Sequence, residues 1–145
     1  MVVNKLTAAP CELCESAGGD TLWQDDLCRV VLVADPDYPG LCRVIVNRHV
    51  KEMSDLDMMS RQQLMRVVFA VEQALRELLR PDKINLASLG NKVPHLHWHV
   101  VPRFADDRHF PGSVWSEPLR EGVPRAPARA ALQQRLHGLL QAVAE

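Results

Sequence analysis

The sequence predicts an α+β fold, in which an antiparallel sheet of about five strands is covered by one long central helix and a C-terminal helix. Short β-branched and apolar segments bounded by turn residues predict the strands. Two longer segments that repeat leucine and valine at helical spacing predict the helices. The most informative strand is predicted over residues 94–103, because it carries three histidines at alternate positions.

Composition and charge indicate a single domain over residues 1–145. Hydrophobic residues make up 47% of the 145 residues and charged residues 24%, as is typical of globular chains. The net charge of −1 argues against binding to duplex nucleic acid, which favours basic surfaces. No apolar run has the length of a membrane span, and residues 1–10 lack the hydrophobic region of an export signal. We therefore expect a cytoplasmic protein with no membrane partner.

The first half of the chain predicts a loop with two cysteines, followed by three strands. Cys11 and Cys14 lie in a turn that precedes Gly18-Gly19. The predicted strands are residues 21–25, 28–34 (CRVVLVA) and 41–47 (LCRVIVN), and the last two are expected to pair antiparallel. The loop over residues 35–40 (DPDYPG) has strong turn chemistry.

The second half predicts both helices and the remaining strands. Capping groups at residues 54–57 begin a helix that runs to about Leu79 and ends before Pro81. Its buried stripe is predicted as Leu64, Val68, Val71, Leu75 and Leu78. The last segments are predicted as a strand over 83–89, the histidine strand over 94–103, irregular structure over 104–127 and a helix over 126–144.

The alternating histidines have three interpretations. Side chains alternate between the faces of a strand, so His95, His97 and His99 are expected on one face and Trp98 on the other. The first interpretation is that the histidines are incidental polar residues, and the second is that they form a metal site. The third is a phosphorus-directed active site, in which a neutral imidazole attacks phosphorus. The Gly90-Asn91-Lys92 turn favours the active site, because its N–H groups and amide can hold phosphoryl oxygens.

The segment HLHWHVV resembles the His-φ-His-φ-His-φ-φ signature (φ, apolar) of the histidine triad (HIT) superfamily of nucleotide hydrolases and transferases. The flanks support the resemblance. LWQDDLCRVVLVADPDYPG is similar to the family's first hairpin, VIVNRHV to its second strand, and INLASLGNKVPHLHWHVVPR to its catalytic half. The resemblance covers about residues 10–105 and leaves 106–145 as a C-terminal extension. It implies a HIT-like fold and a homodimer.

The resemblance also implies roles for single residues. His97 matches the nucleophile that attacks the α-phosphorus, and His99 matches the position that contacts phosphate and helps the leaving group depart. His95 matches the first histidine, which orients the site or, in some members, binds metal. Asp35 matches the acidic residue that binds ribose hydroxyls. Asn91 and Asn85 match positions in and before the phosphate loop.

The Cys11-Glu12-Leu13-Cys14 segment has the spacing of a tetrahedral zinc pair, which needs two more ligands. Some HIT proteins with this pair bind a structural zinc through two further histidines, so the resemblance implies His49 and His95. The alternatives are a reduced thiol pair without metal and a redox switch. No cofactor is expected to be required for catalysis.

The expected function is hydrolysis at the α-phosphate of purine nucleotide conjugates, such as nucleoside phosphoramidates or dinucleoside polyphosphates, through a nucleotidyl-histidine intermediate. Two alternatives stay open: transfer of the nucleotidyl group to another acceptor, and a nucleotide-binding regulatory module with slow turnover. Trp115 is expected to stack on substrate or to pack at a subunit contact. His109 and His137 are expected on the solvated surface.

Overall fold

The computed structural model describes residues 10–144 and has a five-stranded antiparallel sheet covered on one face by two helices. This confirms the predicted α+β class. The sheet order is β1-β2-β3-β5-β4. In chain order the elements are α1 (Glu12–Glu15), β1 (Asp20–Gln24), β2 (Cys28–Leu32), β3 (Cys42–Val46), a 3-10 turn (Met53–Asp55), α2 (Met58–Leu79), β4 (Lys83–Ala87), β5 (His97–Arg103) and α3 (Arg129–Ala144).

Helix α2 covers the centre of the sheet and begins and ends where its capping residues predict. The Asp57 side chain accepts a hydrogen bond of 2.7 Å from the N–H of Ser60, and Arg80 ends the helix in the left-handed region, at φ 49°. The predicted stripe is correct except at its end, because Leu78 is 38% exposed. Leu79 packs against the main core instead.

The strand that carries the histidines is shorter than predicted and begins at His97, so His95 lies just before it. Ile45 pairs with His97 and Arg43 pairs with His99. Leu96 continues this contact through hydrogen bonds to Val46 and Val50, without extending the strand. The strand does not extend back to residue 94, because Pro94 has no N–H to donate and the neighbouring strand β4 already ends at Ala87.

The two faces of the sheet have different partners. Trp98 and Val100 face the main core beneath α2. The prediction that Trp98 lies on the face opposite to His97 and His99 is therefore correct. The opposite face is partly covered by α1, whose Leu13 packs on Val31 and Ile45. The sequence analysis predicted loop at this four-residue helix.

The chain after β5 contains no helix or strand until α3, in a segment that the structure describes throughout. Leu132, Leu136 and Leu140 bury one side of α3. Ion pairs of 2.5 Å join Arg129 to Asp20 in β1 and Arg135 to Glu77 in α2.

Within residues 10–144, no helix combines the length and hydropathy needed to cross a membrane. Residues 1–9, which carry most of the segment used for the expectation about export, lie outside the described residues.

Candidate active site and metal centre

His97 and His99 form the centre of the candidate site, on the face of β5 that is turned away from α2. Their rings are 4.9 Å apart, at an angle of 73°. Both side chains are buried, with exposed fractions of 7% and 8%. Two adjacent, buried imidazoles can carry out nucleophilic attack and proton transfer.

The tautomer of His97 follows from its hydrogen bond. Its Nδ1 lies 2.6 Å from the backbone oxygen of His95. A carbonyl oxygen only accepts, so Nδ1 carries the proton and Nε2 keeps its lone pair in the neutral ring. Burial lowers the pKa of His97, although the hydrogen bond to His95 opposes that shift. The ring is therefore neutral and has a free nitrogen at neutral pH.

His99 has a more strongly shifted titration. Burial, followed by the charges of His97 and Arg43, lowers its pKa to about 4. Its Nδ1 is buried and has no hydrogen-bond partner within residues 10–144. The ring of Trp115 stands nearly perpendicular to it, with 5.0 Å between ring centroids. His99 is thus a neutral imidazole with unused hydrogen-bonding capacity.

His95 belongs to a different cluster, although it is the first of the three histidines. Cys11, Cys14, His49 and His95 each place a ligand atom within 4.8 Å of all the others. Nδ1 of His95 lies 3.3 Å from Sγ of Cys11, 3.5 Å from Sγ of Cys14 and 3.2 Å from Nδ1 of His49. The four residues implied as a zinc set therefore meet at one point.

The donor set fits a tetrahedral metal ion. On zinc, with Zn–N of about 2.0–2.1 Å and Zn–S of about 2.3 Å, neighbouring ligand atoms lie roughly 3.3–3.8 Å apart, close to the spacings in this cluster. Nε2 of His95 lies 2.6 Å from the backbone oxygen of Val46 and must donate to it. Nδ1 of His95 is therefore the unprotonated nitrogen, as metal binding requires.

Arg29 holds the cysteine segment in place, and the sequence analysis did not identify it. This side chain is 7% exposed. It donates to the backbone oxygens of Leu13 at 2.7 Å and Ala17 at 2.9 Å. A buried guanidinium that binds successive carbonyls fixes the loop between α1 and β1. The signal available in the sequence was an arginine inside an otherwise apolar strand.

A cavity of about 160 Å³ lies beside His99 and extends to the loop after β2. Its wall includes Asp35, Tyr38, Arg43, His99, His109 and Trp115. One carboxylate oxygen of Asp35 accepts hydrogen bonds from the N–H groups of Asp37, at 2.9 Å, and Tyr38, at 3.1 Å. Asp35 thus shapes the turn and also lines the cavity.

A buried polar network supports the floor of this cavity. Arg103 and Asp107 form an ion pair of 2.8 Å in which each side chain is 3% exposed. The Tyr38 hydroxyl donates to Asp107 at 3.1 Å and lies 2.6 Å from Nδ1 of His109. His109 is 8% exposed, so the expectation of a solvated surface residue is wrong. His137 is exposed, as expected, and its Nε2 donates a hydrogen bond of 3.0 Å to the backbone oxygen of Leu22.

The two asparagines lie outside the cavity wall. The side-chain oxygen of Asn85 accepts a hydrogen bond of 2.7 Å from Arg103. Asn91 is exposed in the loop between β4 and β5. In the same loop, Ser88 donates a hydrogen bond of 2.9 Å to the backbone oxygen of His97. Substrate binding by both asparagines stays a prediction.

Comparison with known proteins identifies the relatives of this fold and site. The HIT domain model matches residues 17–106. The chain is 31% identical over 86 residues to a Mycobacterium tuberculosis AP-4-A phosphorylase, covering 55% of this chain and 44% of that protein. It is 31% identical over 75 residues to a Saccharomyces cerevisiae bis(5'-adenosyl)-triphosphatase, covering 48% of this chain and 36% of that protein. The chain therefore spans less than half the length of these two relatives.

Among solved structures, a histidine triad protein from Bradyrhizobium japonicum superposes with a TM-score of 0.64 and 31% identity. The match covers 93% of this chain and 96% of that chain. It therefore includes the segment after β5 and the C-terminal helix, in addition to the part that the domain model matches.

Proposed function

Because this chain belongs to the HIT domain family, we propose that it cleaves purine nucleotide conjugates at the α-phosphate, with His97 as the nucleophile. The substrate class is nucleoside phosphoramidates or dinucleoside polyphosphates. The hydrogen bond of 2.6 Å from Nδ1 of His97 to the backbone oxygen of His95 carries the proposal. It leaves Nε2 of a neutral, buried imidazole free to attack phosphorus.

The reaction has two steps. Nε2 of His97 forms a bond to the α-phosphorus, and the bond from that phosphorus to the leaving nitrogen or oxygen breaks. The leaving group departs with the bonding electron pair and takes a proton from His99, which the bound phosphate keeps protonated. Water then attacks the same phosphorus and returns a proton to His99, the N–P bond breaks, and the nucleoside monophosphate leaves. The net reaction consumes one water molecule and restores His97.

The surrounding residues bind the phosphate, the leaving group and the ribose. His99 lies 4.9 Å from His97, between ring centroids, and contacts the phosphate and the leaving group. An anionic phosphate beside it favours protonation and so raises its pKa from the low value of the free site. Asp35 lies in the cavity wall beyond His99 and binds the ribose hydroxyls. Asn85 and Asn91 keep their proposed roles at the phosphate loop.

We also propose a structural zinc on Cys11, Cys14, His49 and His95. The ligand-atom spacings and the tautomer of His95 support it. When bound, the ion crosslinks the segment that contains α1 to the chain before β5 and supplies no chemistry to the phosphorus. His95 thus acts as a ligand through its ring and positions His97 through its backbone oxygen.

A product screen with purified protein tests the activity. Incubation with adenosine phosphoramidate, diadenosine tetraphosphate or a nucleotide sugar is expected to release a nucleoside monophosphate. His97→Ala is expected to bind AMP and to show no turnover. His137→Ala is the matched control, because it removes a histidine from α3, far along the chain from His97. Unimpaired hydrolysis by His97→Ala contradicts the proposal. Tight nucleotide binding with turnover too slow to clear the ligand supports a regulatory module instead.

A second candidate is transfer to inorganic phosphate instead of water, which the name of the Mycobacterium tuberculosis relative favours. The nucleotidyl-histidine intermediate is the same, so only the acceptor differs. With diadenosine tetraphosphate and phosphate, a phosphorylase yields ADP and ATP, whereas hydrolysis yields AMP and ATP. The ratio of ADP to AMP at several phosphate concentrations decides between them.

We further propose a homodimer that uses α2. Met59 and Phe69 on this helix are 81% and 52% exposed, and a partner subunit packed on α2 would remove this apolar surface from water. Light scattering on the eluted protein is expected to give twice the chain mass. Phe69→Glu is expected to shift the mass toward that of the monomer, whereas Gln134→Glu, at an exposed position on α3, is expected to leave it unchanged.

A further inference from the structure

Arg43 is a cation beside the candidate nucleophile and has no ion-pair partner within residues 10–144. It pairs with His99 across β3 and β5, so both side chains are on the same face of the sheet. Both also line the cavity that reaches Asp35. An arginine inside an apolar strand, next to two buried histidines, requires an explanation.

The hydrogen bonds of Arg43 leave most of its guanidinium unused. One nitrogen, Nη1, donates to the backbone oxygen of Gly18 at 3.2 Å. Nε is buried and has no partner within residues 10–144. No carboxylate in this part of the chain lies within ion-pair distance of Arg43. A half-buried cation with a buried unpaired N–H is costly unless an anion completes its environment.

The nearby acidic residues are engaged in other contacts. Asp37 pairs with Arg108 at 3.8 Å, and one oxygen of Asp35 accepts two backbone N–H groups. Across the strand pair, Nδ1 of His99 is also buried and unpartnered. The two unpartnered buried atoms described in this chain, Nε of Arg43 and Nδ1 of His99, therefore belong to residues that face each other. One oxyanion between them can use both.

The geometry points to Arg43 as a substrate-binding residue that holds a non-bridging oxygen of the nucleotide's reacting phosphate. This inference rests on the proposed function and adds to it a charged contact that the histidines do not supply. A nucleotide with its ribose at Asp35 and its phosphate beside His99 lies next to the guanidinium, because Asp35, Arg43 and His99 line the same cavity. The planar guanidinium suits two phosphoryl oxygens, and its charge also stabilises the negative charge that develops in the transition state.

The test compares the binding of AMP and of adenosine by calorimetry. Arg43→Met keeps the length of the side chain and removes the charge, while Arg43→Lys keeps the charge and removes the fork. Arg66→Met is the matched control, because it removes one exposed guanidinium from α2. In Arg43→Met, the affinity for AMP is expected to fall at least tenfold, about 1.4 kcal/mol, while the affinity for adenosine stays within twofold. Arg43→Lys is expected to recover part of the loss.

Three results overturn the inference. If Arg43→Met binds AMP as the wild type does, Arg43 does not touch the phosphate. If it loses AMP and adenosine equally, Arg43 only shapes the cavity. If the wild type binds neither, the proposed nucleotide site fails as well. Measurements of turnover separate the two proposals. If hydrolysis depends on His97 but Arg43→Met binds AMP normally, the proposed function stands and only the role of Arg43 is overturned.

Discussion

The ring of His95 lies in the cysteine cluster, while its backbone oxygen accepts a hydrogen bond of 2.6 Å from Nδ1 of His97. One residue thus joins the candidate metal centre to the candidate nucleophile. A shift of the His95 backbone that follows disruption of the cluster would also move the carbonyl that fixes the His97 tautomer. Stability and catalysis are therefore expected to respond together when this cluster is disturbed.

Removal of the metal is expected to lower both the midpoint of thermal unfolding and kcat. Metal analysis of the untreated protein is expected to give about one zinc per chain. Zinc that binds only the folded state, at a free concentration 100 times its Kd, stabilises that state by about 2.7 kcal/mol. Chelation is expected to remove an effect of that order. Cys14→Ala is expected to lose the zinc, whereas Cys28→Ala, which removes a core thiol, retains it. A full complement of zinc in Cys14→Ala contradicts the prediction.

Breaking the buried ion pair between Arg103 and Asp107 is expected to destabilise the protein strongly. Asp107→Asn leaves the Arg103 charge in a site where the side chain is 3% exposed. The expected cost is about 3–5 kcal/mol in the free energy of unfolding. Asp106→Asn is the matched control, because its ion pair with Arg125 has side chains 49% and 37% exposed and is worth at most about 1 kcal/mol. Urea unfolding measures both, and equal losses would show that burial is not the cause.

The free energy of unfolding is expected to decrease as the pH falls from about 6.5 to about 4, in part because of His99. The pKa of His99 is lowered to about 4 in the folded protein, so the unfolded chain binds the proton first on acidification. The stabilising difference is fully present above the unfolded pKa of about 6.5 and is lost by about pH 4. Its upper limit is about 3 kcal/mol.

A comparison of pH profiles isolates the contribution of His99. His99→Asn has no titrating group at this position, so its stability is expected to fall less than that of the wild type over the same pH range. Parallel profiles would mean that His99 titrates alike in the folded and unfolded states. NMR titration of the ring gives the folded pKa directly.

Removing Trp115 is expected to raise the pKa of His99 toward its ordinary value. The indole lies 5.0 Å from the imidazole, and burial is the main cause of the lowered pKa. Trp115→Ala opens this side of the ring to water, whereas Trp115→Phe keeps an aromatic cover. An NMR titration that gives the same His99 pKa in the wild type and in Trp115→Ala would assign the shift to other neighbours.

The sequence predicted the parts of the fold that depend on local patterns. Helix α2 follows from its caps and its apolar spacing, and β2 and β3 follow from β-branched segments between turns. The predicted orientation of His95 was less accurate, because side-chain alternation applies only where the strand extends through the residue. The strand begins two residues later, and the ring of His95 turns toward partners as distant as Cys11, 84 residues away.

Contacts between distant polar residues escaped the sequence analysis. His109 was expected at the surface because no local pattern links it to Tyr38, 71 residues earlier. Arg29 and Arg43 lie in strands whose neighbours are apolar, and only the fold shows which backbone oxygens they meet. Long-range pairing of this kind has no periodic signature, so it becomes visible only in three dimensions.

The metal cluster also has a consequence for the order of folding. His49 is 35 residues from Cys14, and His95 is 46 residues from His49. Closing loops of that length costs entropy before any ligand bond forms, so we expect the four donors to converge after β3 and β5 have paired. A metal bound at such a late stage stabilises contacts that are absent from the folding transition state. We therefore expect zinc to slow unfolding and to leave the folding rate nearly unchanged.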